Sequence, residues 1–156
     1  MHFDYLKSDF GLVKISADDD GILSIGFCDT ELELVNGNRH TKQAKKELGA
    51  YFSGELRKFD LKLNLTGASA FYQKVWHELS LIPFGKTVSY LDIARRIGDE
   101  KSVRAVGMAN GKNPIAIVLP CHRVIGSNGS LVGYAYGVEV KRRLLALENP
   151  REFAIN

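Results

Sequence analysis

Cysteine is scarce in this 156-residue chain: Cys28 and Cys121 are the only two, and no C-x-x-C spacing joins them. Two thiols so far apart exclude a disulfide scaffold and leave no zinc-site signature. No apolar run approaches the ~18 residues of a membrane span, and the N-terminus carries no apolar signal-peptide core, so neither secretion nor membrane insertion is expected. A reducing cytoplasm fits that usage. Repeats and low-complexity segments are absent. An excess of one charge is also lacking, with a formal net of only +3. Its distribution is uneven, because residues 1–66 carry a net of −2 and residues 67–156 a net of +5. The basic half hints at phosphate contact. What remains is 45% apolar and 25% charged residues, the composition of a globular chain with one ordinary domain or two small lobes.

Residues 3–7 read as a first strand. Leu12–Ile15 and Ile22–Phe27 flank Asp18-Asp19-Asp20-Gly21, which is the pattern of a hairpin. Cys28 ends its second strand and reads as structural. Residues 42–52 have helical spacing, with Ala44, Leu48 and Tyr51/Phe52 on one face and Gly54 at the end. Phe59, Leu61, Leu63 and Leu65 alternate with polar residues, as in a half-buried strand. Residues 1–66 therefore form an α/β lobe of a small sheet and one helix, without a catalytic constellation.

The linker is Thr66-Gly67-Ala68-Ser69, and residues 67–156 read as a second, mostly α lobe. Ser69 caps a helix marked by Phe71, Val75, Trp76 and Leu79, which stops before Pro83. Thr87 or Ser89 caps the next helix, through Leu91, Ile93, Ala94 and Ile97. After Gly98-Asp99-Glu100, Lys101 or Ser102 opens another helix to about Asn110. That spacing is a helix-turn-helix. The second helix, Arg104 to Gly111, is a face of small residues with one long cation. Such a helix suits close approach to a sugar-phosphate wall, or equally close packing against another helix. The last helix runs from Val138 to about Glu148, with Val140, Leu144, Leu145 and Leu147 as its buried side and Asn149-Pro150 as its stop.

Between these helices lies Pro120-Cys121-His122-Arg123-Val124. It follows the apolar run Ile115–Leu119, expected to be a strand that Pro120 ends, and precedes the turn Gly126-Ser127-Asn128-Gly129. A thiol beside an imidazole is the simplest source of a thiolate near neutral pH. Successive side chains on an extended backbone point apart, so a bridging water is the natural link between Cys121 and His122. The base needs an orienting acid, and Glu148 is the candidate: it ends an apolar helix face where negative charge is disfavoured. Residue chemistry alone leaves two classes open, a cysteine hydrolase and a nucleic-acid protein that uses its Cys on a base.

Arg104-Ala105-Val106-Gly107, Asn113-Pro114, Pro120 through Ile125, Gly129, Leu131, Gly133-Tyr134-Ala135, and Lys141 through Leu144-Leu145 to Glu148 together resemble the O6-alkylguanine-DNA alkyltransferase family, the methylated-DNA–protein-cysteine methyltransferases. The resemblance is strong from about Phe71 to Glu148. The N-terminal lobe matches in general plan, which in the family is a ribonuclease H-like α/β lobe before a winged-helix-like lobe. The resemblance implies irreversible, single-turnover transfer of an alkyl group from guanine O6, with thymine O4 as a second candidate, to Cys121. No cofactor and no metal are implied. The implied partner is double-stranded DNA, bound by a monomer through the minor groove with the target base flipped out, in the cytoplasm or on the nucleoid. By the same resemblance His122, through a water, takes the Cys121 proton, Glu148 holds the imidazole, and Tyr90 protonates guanine N3. Asn113 fixes the turn before the active-site segment. The Cys121 and Val124 carbonyls accept from the exocyclic amine, Ala135 N–H lies near the leaving oxygen, and Tyr134 walls the pocket. Arg104 fills the gap in the duplex, Ala105 and Gly107 let the helix approach it, and Lys141 joins the substrate- and DNA-binding set. The rival within this family is a sensor that binds the lesion without transfer and carries another residue, often Trp, in place of the Cys. Outside it, a transcription regulator would keep the helix-turn-helix without needing Cys121, Tyr90 and Glu148 together.

Overall fold

Alternation and one tight turn build the first sheet. β1 (His2–Ser8), β2 (Gly11–Asp18) and β3 (Gly21–Cys28) form an antiparallel meander in that order. The Asp18 side chain accepts from the N–H groups of Asp20 and Gly21 and so closes the hairpin. Gly21, at φ 152°, is the glycine this turn requires: a Cβ there would meet the Lys62 carbonyl at 2.7 Å. That approach lets Ile22 pair with the chain at 62–64, through Ile22 N–H to Lys62 O and Asn64 N–H to Ile22 O, each 2.8 Å. The expected strand over 59–65 is reduced to this single bridge between Ile22 and Leu63. Both hydrogen bonds close on one residue, so side-chain alternation survives without a ladder.

The computed structural model describes residues 1–131 and 133–153; Val132 and residues 154–156 lie outside the described residues. These form two compact units. The first holds Met1–Thr66 together with Pro114–Ala116, and the second holds Gly67–Asn113 and the described residues from Ile117 onward. In the first, α1 (Arg39–Phe52) starts three residues ahead of its apolar pattern because Asn38 caps it, with Thr41 completing a capping box. Its buried face includes Ala44, Leu48 and Tyr51.

In the second unit, Ser69 caps α2 (Ala70–Ser80), which buries Val75, Trp76 and Leu79. The Trp76 indole N–H donates to the Ala109 carbonyl at 2.8 Å, fastening α2 to α4 (Val103–Gly111). β4 (Val88–Ser89) leads directly into α3 (Tyr90–Arg96), which Ser89 and Asp92 cap reciprocally. Gly98 turns the chain at φ 86°, and a 3-10 turn over Glu100–Ser102 feeds α4. α3 and α4 are the expected helix-turn-helix. β5 (Val124–Ile125) pairs in parallel with β4, followed by α5 (Val138–Glu148). Asn149 ends α5, yet Pro150 then opens a short α6 (Pro150–Phe153), since proline fits a first helical position.

The apolar run 115–119 is not a strand. Ile115 makes one bridge to Ile25, and then the chain turns at Ile117, which adopts φ 73°. A β-branched residue in the left-handed region is a strained conformation. Ile117 is itself buried, as are Ile115, Ala116 and Leu119. Among the described residues no helix is long and apolar enough to cross a membrane.

Candidate active site

Pro120 ends that turn, and Cys121–Arg123 form one turn of 3-10 helix, all three side chains buried. Burial pushes the Cys121 thiol up, against an Asn113 side-chain hydrogen bond and the Lys141 charge, which favour the thiolate. The resting nucleophile is therefore a thiol, and its proton must leave as the reaction occurs.

The base that can take it lies next in sequence. His122 is fully buried, and its Nε2 lies 2.7 Å from Glu148 Oε2. An ionised carboxylate only accepts, so Nε2 carries the hydrogen and Nδ1 presents a lone pair. Nδ1 is buried with no hydrogen-bond partner among the described residues. Burial lowers the His122 pKa despite the opposing effect of Glu148, keeping the ring neutral and basic.

Glu148 in turn is gripped from its other side. Arg123 Nε donates to Oε1 at 2.7 Å and Arg123 Nη2 to Oε2 at 2.9 Å, while Arg123 Nη1 donates to the Ile82 carbonyl at 2.8 Å. Burial alone would raise the Glu148 pKa, but the imidazole and the guanidinium hold it well below the usual carboxylate range. Arg123 is the durable partner, because a guanidinium keeps its charge whereas His122 rests neutral. The Phe84 ring covers the Arg123 guanidinium at 5.7 Å.

The parallel β4–β5 pair delivers the fourth group. Val88 opposes Val124 and Ser89 opposes Ile125, so Tyr90, the next residue, enters α3 beside the Cys121 segment. Burial and the neighbouring Cys121 raise the Tyr90 pKa, so it stays a phenol able to donate. A Cβ on Gly133, at φ 88°, would sit 2.9 Å from the Tyr90 hydroxyl, and one on Gly107 would sit 4.0 Å from the Tyr90 ring. Gly133 thus makes room for this tyrosine, whereas a Cβ at 107 would only touch its ring.

Asn113 Nδ2 donates to the Leu119 carbonyl at 2.7 Å, spanning the turn before Cys121. Tyr134 is buried, edge-on to Tyr136 at 5.6 Å, and its hydroxyl has no hydrogen-bond partner among the described residues. Ala135 is exposed beside it. Lys141, placed by resemblance in the substrate- and DNA-binding set, is fully buried and donates through Nζ to the Val124 carbonyl at 2.6 Å. Burial brings its pKa down to about 8.

On α4 the small-residue face divides. Arg104, Ala105 and Met108 are exposed and Gly107 is half-buried, while Val106, Ala109 and Asn110 face inward. The structure thus gathers Cys121, His122, Glu148, Tyr90, Asn113, Val124, Tyr134 and Lys141. It leaves Arg104 and Ala105 on the outer face of α4. Arg123 and Asn110 were missed by sequence reasoning. The signal for Arg123 was the buried carboxylate itself, which requires a fixed cation. For Asn110 it was a polar side chain at helical spacing from Val106.

Known proteins resemble this chain along nearly its whole length. Residues 70–150 match the model of the 6-O-methylguanine DNA methyltransferase DNA binding domain, and residues 1–65 match that of its ribonuclease-like domain. A methylated-DNA–protein-cysteine methyltransferase of Methanosarcina acetivorans is 42% identical, covering 95% of this chain and 98% of its own. One from Mycolicibacterium paratuberculosis is 46% identical over 92% of this chain and 89% of its own. A crystal structure of Mycobacterium tuberculosis OGT in complex with DNA superposes with a TM-score of 0.88 at 40% identity, covering 97% of this chain and 94% of that one.

Proposed function

The chain belongs to the 6-O-methylguanine DNA methyltransferase family, and from that premise we propose how its residues carry out direct repair of alkylated DNA. The protein transfers an alkyl group from O6-alkylguanine in DNA to Cys121. One S–C bond forms and one C–O bond breaks. The product thioether is inert, so each molecule acts once.

The observation that carries this reading is the buried relay from Arg123 through Glu148 to His122, whose bare Nδ1 lies next in sequence to a thiol that must be deprotonated on demand. His122 takes the Cys121 proton through a water, and Glu148 stabilises the imidazolium that results. The Tyr90 hydroxyl gives its proton to guanine N3 as the C–O bond breaks, so the base leaves neutral. The Cys121 and Val124 carbonyls accept from the exocyclic amine, with Lys141 holding the Val124 carbonyl from behind. Ala135 N–H faces the leaving oxygen, and Tyr134 walls the pocket.

A target atom inside a duplex must first be rotated out, at a cost of a few kcal/mol. The outer face of α4 has the shape and charge for this. Ala105 and Gly107 admit a sugar-phosphate backbone closely, and Arg104 fills the vacated stack from the minor groove. Such contacts read little sequence, as a repair protein requires. The protein works as a monomer in this reading.

Intact mass after mixing with a duplex carrying one O6-methylguanine tests the proposal, with Cys121→Ala as control. A gain of one methylene on wild type alone, saturating at one per molecule, is expected. Tight binding by folded, reduced wild type without that gain would instead make it a lesion sensor.

A further inference from the structure

Asn110 is the one polar side chain on the inward face of α4, between Val106 and Ala109 on one side and the Cys121 segment on the other. It is only 3% exposed. Its Nδ2 donates to the Cys121 carbonyl at 3.4 Å, a long hydrogen bond. The carbonyl can only accept, which fixes the amide with its NH2 group on that side. The Oδ1 is buried without a partner among the described residues. An apolar side chain of the same size would avoid that desolvation cost, so packing alone does not explain an asparagine here. The same amide hydrogen-bonds the Tyr90 side chain and favours its ionised form, opposing burial and Cys121, which disfavour it. Tyr90 also lies against α4 itself, at Gly107.

We propose that Asn110 is a positioning residue for guanine specificity, which assembles the Tyr90 hydroxyl and the Cys121 carbonyl into one reader of the base edge that carries N3 and the exocyclic amine. This rests on the function proposed above. A guanine presents an acceptor at N3 and a donor at the 2-amino group, side by side. Tyr90 meets the first with a donor and the Cys121 carbonyl meets the second with an acceptor. Asn110 touches both and sits on the helix whose outer face carries Arg104. When the Tyr90 O–H bond breaks and N3–H forms, the second Asn110 amide N–H remains to stabilise the phenolate. A base without the 2-amino group uses only half of this reader.

The experiment compares single-turnover alkylation of wild type, Asn110→Leu and Tyr90→Phe on duplexes carrying O6-methylguanine or O6-methylhypoxanthine, which lacks the 2-amino group. Duplex affinity and thermal midpoint are measured on each protein. For Asn110→Leu the maximal rate on O6-methylguanine falls roughly tenfold or more, part of the hundredfold that a positioned general acid contributes. The rate on O6-methylhypoxanthine falls less, so the preference for guanine narrows while duplex affinity is kept. Adding Asn110→Leu to Tyr90→Phe costs less than either change alone predicts, because the two act as a unit. An equal loss on both substrates with full additivity would overturn the proposal and reduce Asn110 to a packing residue. If Asn110→Leu does not fold, Asn110→Ser removes the amide without adding bulk, and the same narrowing is required of it. Failure of the underlying reading looks different: wild type would not be alkylated, or Tyr90→Phe would lose nothing.

Discussion

Glu148 holds two donors at once, and only one of them carries a permanent charge. Arg123 secures the carboxylate whatever the state of the ring, so His122 can rest neutral and still be oriented. The pH dependence of stability follows from that division. Burial lowers the folded pKa of His122 beneath its ordinary 6.5. Between the folded and ordinary values the unfolded chain binds the proton and the folded chain does not, so falling pH favours unfolding. Stability linked to His122 is therefore full above about pH 6.5 and declines below it. Glu148 acts in the same direction further down: its depressed pKa gives stability that is present above the ordinary carboxylate range and lost as pH falls beneath it. Urea unfolding of wild type and His122→Leu, between about pH 7.5 and 5, reads the first effect. The stability difference should move against wild type as pH falls. A difference independent of pH would mean that His122 titrates alike in the folded and unfolded states, and one that moves in favour of wild type would mean that the buried ring is protonated in the folded state. The relay also predicts that Arg123→Met, which leaves the carboxylate buried beside a neutral ring, destabilises by about 3–5 kcal/mol, as removal of one partner of a buried pair does. A loss under about 1 kcal/mol in chemical denaturation would show the pair to be solvent-screened.

At the scale of elements, Tyr90 is placed by a cap. Ser89 closes β4, accepts from the Asp92 N–H at 3.0 Å, and receives the Asp92 carboxylate on its own N–H at 2.9 Å. The first turn of α3 is thereby pinned where Tyr90 begins. Ser89→Ala should lower stability by about 1 kcal/mol and slow alkyl transfer more than duplex binding, because the fraying reaches Tyr90 first. Unchanged transfer in a measurably destabilised variant would separate the cap from the chemistry. Ser89 was legible as one of two candidate caps beside Thr87, while its partner Asp92 was not singled out; the hairpin, the helix-turn-helix and the Cys-His motif were legible too, since each rests on local spacing. The elements that escaped depend on partners distant in the chain. The run 115–119 has the composition of a strand but makes one bridge, to Ile25, and then turns at Ile117. The sequence pattern places the buried stripe of α5 on Val140, Leu144, Leu145 and Leu147. It is in fact Lys141, Leu144, Leu145 and Glu148, the i, i+3, i+4, i+7 set with polar residues at both ends. Hydrophobic pattern cannot announce a lysine satisfied by the Val124 carbonyl or a glutamate satisfied by Arg123, because those partners lie 17 and 25 residues away. Asn110 and Arg123 escaped for the same reason.

At the scale of the molecule, the chain does not divide cleanly at its linker. Pro114–Ala116 belongs with the first unit although the residues on either side belong to the second. Ile25 N–H donates to the Pro114 carbonyl and Ala116 N–H donates to the Ile25 carbonyl, both at 2.9 Å. Ile115 and Ala116 are almost wholly buried. The segment so held begins the turn through Ile117, which Asn113 ties to Leu119 immediately before Pro120 and Cys121. A fragment beginning at Gly67 loses the partners of 114–116. Exposing Ile115 alone costs about 1.5–3 kcal/mol, and the strained Ile117 loses part of the frame that holds it. The fragment should unfold at lower urea than the full chain and methylate more slowly, even though every residue of the relay is present. Equal unfolding midpoints and equal single-turnover rates would show that the second unit positions Cys121 unaided, and that the pairing with Ile25 serves the first unit alone.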